Sequence, residues 1–226
     1  MLDFITGPLF VISLVIFTVG MLARVFLYVR GLDWRLERIA YRYHTDRSIP
    51  GALASIFKWL IPGGTDGWRT QPVATTLFFL LHFGAVLVPL FLLGHTVLLE
   101  RYVGISLPSL PGTLADILSV LSLVAILLLA ARRMTSPALR QLNSRADWFI
   151  LLLTFLPFAT GLMARLDTSA YQSWIVLHVL SGELFLILAP FTKLSHIVLF
   201  FLSRAQIGMD FAIKRGGATR GGAFPW

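Results

Sequence analysis

The sequence predicts an all-α membrane protein, five transmembrane helices in a bundle with the N-terminus outside and the C-terminus in the cytoplasm. Three observations predict it. Hydrophobic residues make up 57% of the 226 residues and charged residues only 13%, about half the charge of a soluble domain. The mean hydropathy is +0.80. The apolar residues also fall in long runs of the roughly 20 residues that a helix needs to cross a bilayer.

The runs cover about 4–28, 72–98, 114–131, 148–163 and 174–202. The first is followed, not preceded, by its first cation, Arg24, so a membrane span is expected there and a cleaved signal peptide is not. The second starts after Trp68 and contains Pro89, which can kink or overwind a helix. The third is bounded by Pro111-Gly112 and by Arg132-Arg133. The fourth and fifth open on Trp148 and Trp174, whose indoles favour the headgroup layer. The fifth is long enough to tilt or to extend past the membrane. Backbone groups in hydrocarbon must pair within their own segment, so the runs are helices. Alternating segments of the outer-membrane barrel kind are absent. The chain is thus one membrane domain, 1–226, with a basic cytoplasmic loop at 29–71 and a cytoplasmic tail at 203–226. Arg35-Leu36-Glu37-Arg38 is expected to begin a short amphipathic helix at the membrane surface.

The net charge is +8 and the pI near 10.6. On a soluble protein that excess suggests nucleic acid; here it concentrates in 29–71, 132–145 and the tail, which sets orientation instead. The other two connections hold only Arg101 and Arg165. There is no cysteine. Disulfides, Cys-ligated zinc, iron–sulfur clusters held by this chain and c-type haem attachment are therefore excluded.

Four of the five histidines lie in the spans: His82 and His95 on the second, His178 and His196 on the fifth. Polar residues are expensive in a bilayer and usually mark a site. Hydrogen bonding between helices is the bland explanation for one such residue, but four in two pairs point to metal. A low-spin haem iron takes two axial imidazoles. Antiparallel helices would pair His82 with His196 near the cytoplasmic surface and His95 with His178 near the outer one, making two haems b. His178 and His196 are 18 residues apart, five turns of a continuous helix, so both face one way. His82 and His95 are 13 apart, which turns them roughly 140° from a common face unless Pro89 distorts the helix. Gly84, Gly94 and Gly182 lie near the ligands and can let a macrocycle approach, or can serve ordinary helix packing.

Glu183 lies deep in the fifth span, where a carboxylate needs a partner or a proton. With Arg101 and Arg165 it is a candidate for a quinone pocket near the outer haem. Lys193, Arg24 and Arg69 are candidates for inner haem propionates. For these cations the competing role is interface anchoring. His44 lies in the basic loop, where solvation or a subunit contact is expected.

These residues resemble the gamma subunit family of respiratory nitrate reductases, five-helix membrane dihaem cytochromes b. His82-Phe83-Gly84…Gly94-His95 is similar to its second-helix element, with a spacing about one turn longer. Pro190-Phe191-Thr192-Lys193-Leu194-Ser195-His196, and the interval back to His178, are similar to its fifth helix. Asp147-Trp148 and Thr160-Gly161-Leu162 echo its fourth. The basic loop and glycine-rich tail look more like relatives in sulfate-reducing bacteria, the cytochrome b subunits of transmembrane redox complexes built around a high-molecular-mass cytochrome c. The resemblance implies a multi-pass subunit of the bacterial cytoplasmic membrane and electron transfer through two haems b, with menaquinone as a possible reactant. It also implies three partners: a cytoplasmic Fe–S subunit, a quinone-reductase-like membrane subunit and a periplasmic multihaem cytochrome c. Membrane lipids complete the surroundings, and no nucleic acid is expected. A haem-poor structural anchor and a small proton-coupled transporter are the competing classes. The absence of visible symmetry-related repeats counts against the transporter.

Overall fold

The computed structural model describes residues 2–32 and 42–214. The expected amphipathic turn at Arg35–Arg38 and the glycine-rich tail from Gly216 lie outside them. All regular structure among the described residues is helical. A short π-helical turn, Ile5–Leu9, leads into α1 (Phe10–Arg30). There follow α2 (Thr45–Leu60), α3 (Asp66–Thr70), α4 (Pro72–Phe91), α5 (Leu93–Val103), α6 (Gly112–Thr135), α7 (Pro137–Leu142), α8 (Arg145–Leu166) and α9 (Tyr171–Leu188). Two 3₁₀ turns, Ala189–Phe191 and Lys193–Ser195, precede α10 (His196–Lys214).

Six stretches, not five, are long and apolar enough to cross a membrane: Ile5–Arg30, Pro72–Phe91, Gly112–Thr135, Arg145–Leu166, Tyr171–Phe191 and Lys193–Ile213. Their large apolar side chains are widely exposed. On α1, Val11, Val15, Val19, Leu22 and Phe26 form such a stripe at helical spacing. Lipid, not protein, is the natural cover for such a face.

Three expectations change. The span expected over 72–98 is two helices. Leu92 is extended (φ −68°, ψ 134°) and the chain restarts as α5. Pro89 has no N–H to give the preceding turn, and Gly94 weakens the next one. The freed carbonyl of Phe91 accepts the N–H of Leu110 at 2.7 Å. The span expected over 174–202 is also interrupted. Pro190 and an extended Thr192 (φ −118°, ψ −176°) break it, so the five-turn phase relation between His178 and His196 does not hold. Among the described residues, the basic loop at 29–71 contains helices α2 and α3.

The chain divides into two compact units, residues 1–18 with 76–192 and residues 19–75 with 193–226. In the first, Val88 of α4, Ile126 of α6 and Phe158 of α8 form a buried core, with Leu81, Ala85, Leu118 and Phe155 against it. Gly84 lets α4 lie directly on α6, because Ser122 Oγ occupies the place a Cβ would take. Helix α8 starts on a capping box. The Ser144 hydroxyl accepts the Asp147 N–H at 3.3 Å, and the Asp147 carboxylate accepts the Ser144 N–H at 2.9 Å. Helices α8 and α9 pack as a hairpin. Tyr102, at the end of α5, covers Gly7 and the Phe10 ring.

In the second unit α2 packs along α10. Gly51 meets Gly208 and Ala212, Ser55 meets Gly208, and the Arg204 guanidinium lies 4.7 Å over the Trp59 ring. The falling partner numbers make the pair antiparallel. Small residues on both sides bring the backbones close, as in tight membrane helix pairs. Trp68 donates its indole N–H to the Trp59 carbonyl at 3.3 Å. Tyr28 donates its hydroxyl hydrogen to the Gln206 side chain.

Candidate functional site

The break after α4 and the α8–α9 hairpin bring His95 and His178 together within the first unit. Their Nε2 atoms are 3.5 Å apart. The rings are parallel to within 9°, with centroids 5.8 Å apart. The centroids exceed the nitrogens in separation by about twice the centre-to-atom radius of an imidazole. The rings therefore point at each other head-on, nearly coplanar, and are not stacked face to face.

What holds them fixes their chemistry. His95 Nδ1 lies 3.1 Å from the Pro89 carbonyl and 3.3 Å from that of Val88. His178 Nδ1 lies 2.9 Å from the Pro157 carbonyl. A carbonyl only accepts, so both Nδ1 atoms carry the hydrogen and donate. In neutral rings the lone pairs are then on Nε2, aimed at each other. Two facing lone pairs repel unless a cation lies between them. A proton would leave an imidazolium in hydrocarbon, which is costly.

A metal fits the donor set. Imidazole–metal bonds run about 2 Å, so two in line need about 4 Å between nitrogens, within half an ångström of the separation present. Among the described residues no group of three or more His, Cys, Asp or Glu gathers to hold a bare ion. Two protein ligands match a metal whose other ligands come from a macrocycle, as in haem.

Gly161 completes the setting. A Cβ there would lie 2.9 Å from Cε1 and from Nδ1 of His178, so the ring lies across the bare backbone of α8. Next to it Thr160 and Ser181 hydroxyls are 3.3 Å apart. Sequence reasoning met Gly161 only within a resemblance and missed the Pro157 carbonyl. Counting outward from the turn between α8 and α9 would have placed Gly161 level with His178.

His82 lies in the first unit and His196 in the second. Each shows the same Nδ1 pattern. His82 Nδ1 donates to the Phe78 carbonyl at 2.7 Å and the ring stacks on Phe78. His196 Nδ1 donates to the Lys193 carbonyl at 2.9 Å. In all four of these histidines, then, Nε2 carries the lone pair.

The other candidates are placed as follows. Space is open around Gly94 and Gly182 in the direction of a Cβ. Glu183 is 4% exposed, and neither carboxyl oxygen has a hydrogen-bond partner. Arg165 pairs with Asp116 of α6 at 3.4 Å. Arg101 lies over the neighbouring Tyr102 ring at 5.4 Å. Arg69 bonds the Gly63 carbonyl at 2.8 Å and Asp66 at 3.4 Å, within its own turn. Lys193 is exposed in its 3₁₀ turn, Arg24 is half-buried on α1, and His44 is exposed at the start of α2.

Asp167 organises the turn between α8 and α9. It accepts from the Ser169 hydroxyl, the Trp174 indole N–H at 3.1 Å and the Ala170 N–H at 3.3 Å. These bonds, the Ser169 hydroxyl first, hold its carboxyl below the usual range.

A protein of Nitratidesulfovibrio vulgaris (strain Hildenborough) is 56% identical to this chain over 226 residues, covering 100% of both. No family model and no solved structure matches the sequence.

Proposed function

This chain belongs to one family with the Nitratidesulfovibrio vulgaris protein, which it matches from end to end, and we propose that the family is one of membrane cytochromes b that carry electrons across a bacterial cytoplasmic membrane. The observation that carries this reading is the head-on pair His95–His178, its lone pairs aimed at each other at 3.5 Å and its Nδ1 atoms tied to backbone carbonyls.

The pair would hold the outer haem, and His82 with His196 the inner one. Bound haem supplies a one-electron carrier; the chain fixes its ligands, their tautomer and a dry setting. The carbonyl bonds raise the basicity of each Nε2 and stop the rings turning. Gly161 gives the His178 ring its place. The open space at Gly94 suits a macrocycle edge. Lys193, Arg24 and Arg69 are the inner candidates for propionate partners, and Gly84 serves the α4–α6 contact beside His82.

The charge distribution supports an N-terminus outside and a C-terminus in the cytoplasm, an arrangement that needs an odd number of crossings. Five crossings result if Tyr171–Phe191 and Lys193–Ile213 count as one interrupted passage. The last stretch is the least apolar of the six and carries Arg204 and Asp210. The cytoplasmic basic face would receive an Fe–S subunit. A quinone-reductase-like membrane subunit and a periplasmic multihaem cytochrome c would complete the path, with menaquinone meeting the outer site near Arg101 and Arg165.

A reduced-minus-oxidised spectrum of the purified full chain tests this. A b-type signal that halves in His95→Ala and falls in His82→Ala supports two haems. No haem signal in the wild type refutes the reading and leaves the anchor or the transporter. A single-haem version has one observation in its favour, that of the two candidate ligand pairs only His95–His178 lies within one compact unit. It predicts loss of all haem in His95→Ala and none in His82→Ala.

A further inference from the structure

Glu183 has no place in iron ligation, yet it is the one acid inside α9. It lies five residues beyond His178, about 7.5 Å along the helix and roughly 140° around it, so its carboxyl is on a different face from the imidazole. It is 4% exposed, and both oxygens lack a hydrogen-bond partner. Of the elements packed closely against α9, Ile5–Leu9 and Ala189–Phe191 carry no titratable side chain. Helix α8 carries Arg145, Asp147 and Arg165, all near its ends. Arg165 is paired with Asp116, and Asp147 is bonded in its capping box. On α9 itself the other titratable groups are Tyr171 and His178, and His95 faces the latter from α5.

Among the described residues of these elements no cation is therefore set against Glu183, and a bare carboxylate in apolar surroundings is costly. The charge that can change near it is at the His95–His178 site. Ferric iron in a dianionic macrocycle carries one net positive charge; ferrous iron carries none. A positive site favours the carboxylate, and a neutral one favours the acid.

We propose that Glu183 is a proton-loading group coupled to the electron at the His95–His178 site. This rests on the cytochrome reading. When a ferrous c-type haem gives one electron to the site and is itself oxidised to the ferric state, Glu183 would take one proton from the aqueous phase. When the electron leaves, the O–H bond breaks and the proton returns to water. One electron and one proton thus move together, and no net charge is left in hydrocarbon.

The test is a redox titration of the full-length chain, followed by haem absorbance, at a series of pH values around neutrality. In the wild type the midpoint of one haem is expected to fall as pH rises, by one proton per electron at most. In Glu183→Gln that slope is expected to vanish with haem content unchanged. A reduced-minus-oxidised infrared spectrum of the wild type is expected to show a protonated-carboxyl band in the reduced state. This measurement stands even if Glu183→Gln does not assemble. A midpoint independent of pH in the wild type, the same slope in Glu183→Gln, or no carboxyl band overturns the inference and leaves the cytochrome reading intact. Absence of haem from the wild type overturns both.

Discussion

Gly161→Ala puts the site geometry to a direct test. The new Cβ would lie 2.9 Å from Cε1 and Nδ1 of His178, whereas carbon contacts settle at about 3.5–4.0 Å. The ring must retreat by roughly 0.5–1 Å, and its 2.9 Å bond to the Pro157 carbonyl points back toward the same helix. Overpacking costs about 1–3 kcal/mol, and a lost neutral hydrogen bond about 0.5–1.5 kcal/mol. An imidazole can turn to relieve part of this, so the lower half of the combined range governs. That corresponds to the roughly 10–100-fold weakening of metal affinity typical of damage to a ligand's support. The assay is haem bound per polypeptide at limiting haem, with helicity followed by circular dichroism. The expected result is loss of up to half the haem with helicity retained. Gly112→Ala, at the start of α6 and outside the candidate site, is the matched control, since no atom lies within 4 Å of its added Cβ. Full haem with an unshifted spectrum in Gly161→Ala, or equal losses in the two variants, would refute the reasoning.

His95→Ala and His178→Ala should remove the same haem, so the double variant should lose no more than either single one; additive losses in haem content would separate the two residues. Pro89→Ala restores an N–H to α4 and should let the helix run through Leu92, raising helicity while lowering haem content; unchanged haem would show that the break does not aim His95. Gly51→Ala places a Cβ 2.5 Å from the Gly208 carbonyl oxygen and should destabilise the α2–α10 pair by about 1–3 kcal/mol, read as earlier protease cleavage within 45–60, whereas wild-type resistance there would count against the close crossing. The Asp167 carboxyl is held below its usual range by the Ser169 hydroxyl and the Trp174 indole, so its contribution is present above the ordinary carboxylate pKa and is lost as pH falls through the lowered value. Hydrogen exchange at Ser169 and Ala170 should therefore accelerate only in acid, below about pH 4, and Asp167→Asn should show fast exchange at neutral pH.

Helical membrane architecture is legible in this sequence because composition and run length alone decide it. The spans expected at 114–131 and 148–163 lie inside α6 and α8, whose ends are set by Pro111, Arg132-Arg133 and the Ser144–Asp147 box. The two breaks are harder to read. Hydropathy does not register them, since Leu92 and Thr192 lie in or beside apolar runs, and a proline can kink a helix without ending it. Rotation counted along a straight helix therefore does not carry across either break: the five-turn relation between His178 and His196 is lost, while the distortion at Pro89 on which the meeting of His95 with His178 depended is present. The α2–α10 contact is invisible for another reason. Gly51, Ser55, Gly208 and Ala212 are small, unremarkable residues 150 positions and more apart, and only backbone approach gives them meaning. Glu183 is the reverse case: its depth in the span already demanded a proton or a partner, and among the described residues no partner is present.

The interruptions and the histidines answer the same physical requirement. A helix that ends or bends in hydrocarbon leaves carbonyls with no N–H from the following turn, and each costs energy unless something donates to it. At the end of α4 the Pro89 carbonyl is such a group, and His95 Nδ1–H donates to it. In the turn before α10 the Lys193 carbonyl takes the N–H of His196. In α8 the Pro157 carbonyl takes that of His178. Each imidazole thereby stabilises irregular or crowded backbone and, by the same bond, is fixed in the tautomer that leaves the lone pair on Nε2. Removing an irregularity would then remove the acceptor that orients the ring, and removing the ring would leave a carbonyl unsatisfied at membrane depth. The helix breaks are consequently part of what orients these imidazoles, and this is why continuous helical periodicity misplaces them.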